Sequence, residues 1–294
     1  MSMDWLDQVD WSRMAEPQED QYDTKTTLYF AQNATSKYRK NLYVRRPLGD
    51  SPTIFDSQVA VRHITPECPY SPPMENGPIH HPNIAAGSEL LLSWPVVYKQ
   101  FQALVDSFHP LWDSELPYEV DPAPLSSQSG AKEDLFGVVF ATVEHPLTLA
   151  EALVHEMAHQ KLHALGISID SASRLIVNSP RELYESPIIR DRLRPMSAVF
   201  HAQYSFTYVT ELDSRLVNYV QDDNERTSLL LLLSDNLPRI EHGLVTVQDN
   251  IITDASGALF VDGYISWAEK VIKTGNSILQ RYGVAKRDMP PLTA

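Results

Sequence analysis

The stretch EALVHEMAHQKLHAL, Glu151 to Leu165, holds three histidines and a glutamate inside an otherwise apolar run. His155 and His159 are four apart, which on a helix puts both imidazoles on one face, where both reach a single metal ion. Glu156 falls between them, beside the place of a metal-bound water, and completes the H-E-x-x-H pattern. Five letters with three fixed recur by chance, so context carries the weight. An apolar, strand-like run precedes the motif, and Ala152, Leu153, Val154, Met157, Ala158 and Leu162 bury its helix. A buried His-Glu-His set needs partners, and a metal ion supplies one. His163 is two turns from His155 and about 80° around the axis, so it reads as packing or as support for a ligand.

A third ligand must come from elsewhere, because QKLHALG follows His159 and no H-x-x-G-x-x-H extension is present. Two candidates stand downstream: His201 in RPMSAVFHAQYSF and Glu211 in YVTELDSRL. Ten residues apart, they sit on different flanks of one helix, so only one of them faces the site.

The elements that must position these groups follow from pattern. LFGVVFATV, Leu135 to Val143, is short, apolar and β-branched, and reads as a buried strand. Thr148 is the expected N-cap of the histidine helix, with Glu151 completing a capping box. Gly166 is the expected stop after Leu165. A second helix is expected from Pro195 through His201 and Glu211. A helical pattern near Asp23 to Lys40, a helix begun by Ser88 and kinked at Pro95, and helices near Arg226 to Ser234 and Tyr264 to Tyr282 complete the set. Residues 65–83 hold six prolines and read as loop, as does PYEVDPAPLSSQSGAKED. The expected fold is mainly α with a small β-sheet (α+β), with the metal site between two packed helices. Residues 1–130 read as a partly irregular N-terminal region packed on a core of residues 131–294, possible also as one domain throughout.

Composition bounds the function. The chain has 294 residues, 43% of them hydrophobic, so it can bury a large core. Its 24 basic residues against 38 acidic ones give a net charge of −14, which argues against a nucleic-acid partner. The single cysteine, Cys68, allows no intrachain disulfide and fits a cytoplasmic home. The acidic N-terminus has no secretory pattern. The run LLLLL, Leu229 to Leu233, falls far short of the ~18 residues of a membrane span.

LVHEMAHQKLHAL followed by LYESPIIRDRLRPMSAVFHAQYSFTYVTEL resembles the HEXXH-motif family of peptide-modification proteins. Those proteins accompany ribosomally made, post-translationally modified peptides. The resemblance runs through Leu153, Val154, His155, Glu156, His159, Lys161 and Leu162, and then Ser186, Pro187, Arg190, Arg194, Pro195, Val199, His201, Tyr204 and Phe206. It covers about residues 135–216. It implies a precursor peptide as substrate and His201 as the third ligand ahead of Glu211.

Two reaction classes follow from that resemblance. In a zinc metallopeptidase, Zn(II) acidifies its bound water, Glu156 takes the proton, and Tyr204 or Tyr208 steadies the oxyanion. In a hydroxylase, Fe(II) on three protein ligands leaves room for 2-oxoglutarate and O2. The far carboxylate of 2-oxoglutarate then needs a cation, for which Arg194 is the first choice and Arg190 the second. Hydroxylation of a peptide side chain is the favoured reading and proteolysis the alternative. A peptide-binding protein without catalysis is the third class, which the intact His-Glu-His set disfavours.

Overall fold

A computed structural model of the chain describes residues 8–35, 39–65, 75–112, 128–169, 173–186, 188 and 192–289. In chain order the elements are α1 (Tyr22–Asn33), β1 (Thr53–Ile54), β2 (Val59–Val61), β3 (Glu75–Asn76), α2 (Pro82–Leu90), α3 (Pro95–Leu104), β4 (Ser107–Trp112), β5 (Ser129–Ala131) and β6 (Val138–Thr142). Then follow α4 (Pro146–Ala164), β7 (Leu183–Tyr184), β8 (Arg194–Pro195), α5 (Met196–Tyr219), α6 (Asp223–Asn250) and α7 (Ala255–Tyr282). The architecture is the expected one, mainly helical with a small mixed sheet.

The sheet runs β1-β2-β4-β6-β5, with β3 paired to the end of β4. Its centre, β2, β4 and β6, is parallel, and β1 and β5 pair antiparallel at the edges. Alternation along β6 sends Val139 and Ala141 into the main core and Val138 and Phe140 to the opposite face, where they meet Leu111. The first face carries α4.

Helix α4 is central: 15 of its 19 residues are buried, so each of its polar side chains must find a partner. Its start differs from expectation. Pro146 occupies the first turn and the imidazole Nδ1 of His145 accepts the Leu147 N–H at 3.2 Å, so the cap lies three residues before Thr148. Proline presets the helical φ there and gives up a donor the first turn does not use. Glu151 is thereby free of capping and meets Asp213 of α5 instead. The C-terminus is as expected: Gly166 has φ +86°, its N–H donates to His163 O, and the Ile167 N–H donates to Leu162 O at 3.0 Å. This is the Schellman closure.

Other boundaries moved. The helix expected from Ser88 begins at Pro82, breaks at a 3-10 turn, Leu91–Ser93, and restarts at Pro95. The segment after it, SFHPLW, is strand β4. The helix expected over Arg226 to Ser234 runs on to Asn250 through Pro238, because its apolar stripe continues in Leu237, Ile240, Leu244 and Val247. One hydrophobic cluster draws on residues from Trp11 to Leu279, on both sides of residue 130. No helix among the described residues is long and apolar enough to cross a membrane.

Candidate metal centre

Helices α4 and α5 pack against each other and bring the histidines into a line. His155 Nε2 lies 3.0 Å from His159 Nε2, and His159 Nδ1 lies 2.9 Å from His201 Nδ1. His201 Nε2 is 2.9 Å from the carbonyl oxygen of Ile167. A carbonyl only accepts, so His201 Nε2 carries a proton and donates it. Its Nδ1 is then an acceptor, and His159 Nδ1 must be the donor. His159 Nε2 is left with its lone pair pointing at His155. The Schellman turn thus sets the tautomer of two imidazoles, since it is the Ile167 carbonyl that anchors the line.

The pair His155–His159 fits a metal ion. Metal–nitrogen bonds of ~2.1 Å put neighbouring ligand atoms about 3.0–3.4 Å apart, and the two Nε2 atoms are 3.0 Å apart. Glu156 lies beside them, with Oε1 3.8 Å from His155 Nε2. Ser129 of β5 donates its hydroxyl to that oxygen at 2.6 Å. His155 keeps 21% of its side-chain surface, which leaves a way in. Phe206 stands edge-on to its ring at 5.5 Å.

His201, the expected third ligand, stands next in the line, with Nδ1 toward His159 and Nε2 toward the Ile167 carbonyl. Among the described residues no three His, Cys, Asp or Glu side chains converge on one point. His163 packs its ring 4.7 Å from that of His201, and its Nδ1 is 3.7 Å from Glu133, in keeping with a supporting role.

Glu211 does not face the site. It lies ten residues, about 15 Å, along α5 from His201, and its carboxylate holds Trp267 Nε1 at 2.6 Å and Arg215. Tyr204 and Tyr208 are likewise turned away. Tyr204 donates to Ala15 O at 2.7 Å, and Tyr208 donates to Gln100 Oε1 at 2.9 Å. They belong to a buried network around Lys161, whose ammonium donates to Asp23 at 2.6 Å and to the Tyr208 hydroxyl at 3.3 Å. Burial alone would pull the lysine down, and the Asp23 carboxylate beside it more than offsets that, so it stays charged.

Arg194 sits in β8 at the start of α5. Its charge acts on both His159 and His201, and no hydrogen bond or ion pair holds its guanidinium among the described residues. Arg190 and Pro187 lie outside the described residues.

Burial fixes the charge states. It pushes His155 and His163 down to about 4, and lowers His159 and His201 well below the usual range. All four are neutral at pH 7, as metal ligands must be. Burial pushes Glu156 up to about 8 against the pull of Ser129. Glu151, one turn before His155, shares a hydrogen bond with Asp213, and burial raises both. Two carboxyls in contact hold a proton between them. Nothing in the sequence marks this pair, although Glu151 stands at helical spacing from His155; its partner is on another helix. Ser129 is equally unmarked, since nothing in SSQSGA singles it out.

Compared with protein-family models and with curated protein sequences, the chain matches none.

Proposed function

We propose that this chain is a metal-dependent enzyme that modifies a ribosomally made peptide by Fe(II)- and 2-oxoglutarate-dependent hydroxylation of a side chain. His155 and His159 would hold the ion through Nε2, Glu156 would stand beside it, and His201 would keep His159 in the tautomer that binds. When bound, the iron supplies oxygen activation. The observation that carries the choice of reaction is Arg194: a guanidinium at the start of α5 whose charge bears on His159 and His201, with no acid neutralising it among the described residues. An anionic cosubstrate fits that cation, and a neutral scissile amide does not need it.

A zinc peptidase is the second reading, and Glu156 favours it. Its carboxyl lies 3.8 Å from His155 Nε2 and is pushed up to about 8, within the working range of a general base.

The test incubates the protein with a candidate precursor peptide, Fe(II), ascorbate and 2-oxoglutarate, and reads peptide mass. A gain of one oxygen that requires 2-oxoglutarate is expected, with Arg194→Gln raising the KM for 2-oxoglutarate. Cleavage with Zn(II) and without 2-oxoglutarate would establish the peptidase instead. Bound metal separates the histidines. His155→Ala and His159→Ala should lose it, while His201→Ala should keep it with about 10–100-fold weaker affinity. Complete loss in His201→Ala would make His201 a ligand.

A further inference from the structure

The sheet face turned away from α4 and its histidines holds a cavity of about 620 Å³. Strand register builds its polar wall. Ala60 of β2 pairs with Ser107 of β4, and the Arg62 N–H donates to Phe108 O at 2.9 Å. Arg62 therefore stands beside His109, and alternation puts Arg62, Ser107 and His109 on one face. Ile79, Leu135 and Val138 supply apolar surface to the same cavity.

Two donors in this wall have no acceptor among the described residues. Ser107 is 1% exposed and its hydroxyl has no partner. Arg62 gives Nη2 to the carbonyls of Pro47 and Leu48, while its buried Nε–H has no partner. Leaving such groups unmet is costly. The cationic charge is also uneven. Arg46 is neutralised by Asp106 at 3.0 Å, whereas no acid pairs with Arg62 among the described residues. Asp50, an acid in the lining, is exposed and forms no ion pair among the described residues. His109 donates Nδ1–H to His63 O at 3.1 Å and is neutral, because burial, and then Arg62 and Arg46, hold it down at about 4.

We propose that this cavity binds an amphiphilic monocarboxylate. The Arg62 Nε–H and the Ser107 hydroxyl take the carboxylate, and the apolar body lies on Ile79, Leu135 and Val138. Two donors match the two oxygens of a carboxylate. A phosphate dianion would bring more charge and more acceptors than this wall meets, over a floor that does not solvate them. The site is separated from the histidines by the thickness of the sheet, and it stands whether or not the chain is a metalloenzyme.

Titration calorimetry with octanoate, octan-1-ol and octylamine on the full chain tests this. Octanoate should bind, octan-1-ol more weakly, and octylamine not at all. Arg62→Gln and Ser107→Ala should each weaken octanoate by at least about tenfold, while His155→Ala leaves it unchanged. Ser107→Ala removes a hydroxyl without a partner, so it keeps the fold and decides the matter if Arg62→Gln does not fold. Equal binding of the acid and the alcohol, octanoate affinity unmoved by Ser107→Ala, or loss of binding in His155→Ala would each overturn the assignment.

Discussion

At His159 the two ring nitrogens have different tasks: Nδ1 donates to His201, and Nε2 keeps its lone pair on the side of His155. Residue types and spacing made His155, Glu156 and His159 legible as a set, whereas spacing left His201 and Glu211 both open and only the resemblance favoured His201. Which nitrogen of which ring faces which neighbour was not legible, because it depends on a carbonyl in the turn after α4. Lys161 is a similar case: the structure buries it completely beside Asp23, a partner 138 residues away in the chain. A charge in that position depends wholly on its counter-charge. Asp23→Asn should therefore destabilise the fold by about 3–5 kcal/mol, read from urea unfolding. Adding Lys161→Met to that variant should recover most of the loss, and a loss that persists would mean the cost lies elsewhere than in the orphaned ammonium.

At the scale of elements, the long helices were visible in their apolar stripes, and β6 in its β-branched run. Strand β4 was not, because His109 and Pro110 interrupt it and only its neighbours β2 and β6 show that both of its edges are paired. Strand β5 was hidden in a segment whose composition reads as loop. The turn after α4 is the element on which the line of imidazoles hangs. Its Gly166 holds φ +86°, a region that costs a residue with a Cβ about 1 kcal/mol. Gly166→Ala should lower stability by about that amount and weaken metal binding as well, since the Ile167 carbonyl moves with the turn. A variant that loses stability and keeps its full metal affinity would uncouple the turn from His201.

For the whole molecule, the buried titratable groups give a pH profile. His109, His145, His155, His159, His163 and His201 are all held below their usual range by burial. Each favours the fold above its unfolded value, near 6.5, and that support drains as pH falls toward 4. Glu151, Glu156 and Asp213 are held up and act oppositely, losing their support as pH rises from about 4 toward 8. Six imidazoles outweigh three carboxyls. The metal-free protein should thus unfold at progressively lower urea between pH 6.5 and 4.5, and a flat profile would show that the imidazoles are not buried neutral. The bond between Lys161 and Asp23 spans 138 residues of chain, and this bears on synthesis. Asp23 leaves the ribosome long before Lys161 does. Lys161 is neutralised only once α4 has been made and meets α1, so a helix synthesised well before α4 is needed again to close the core around it.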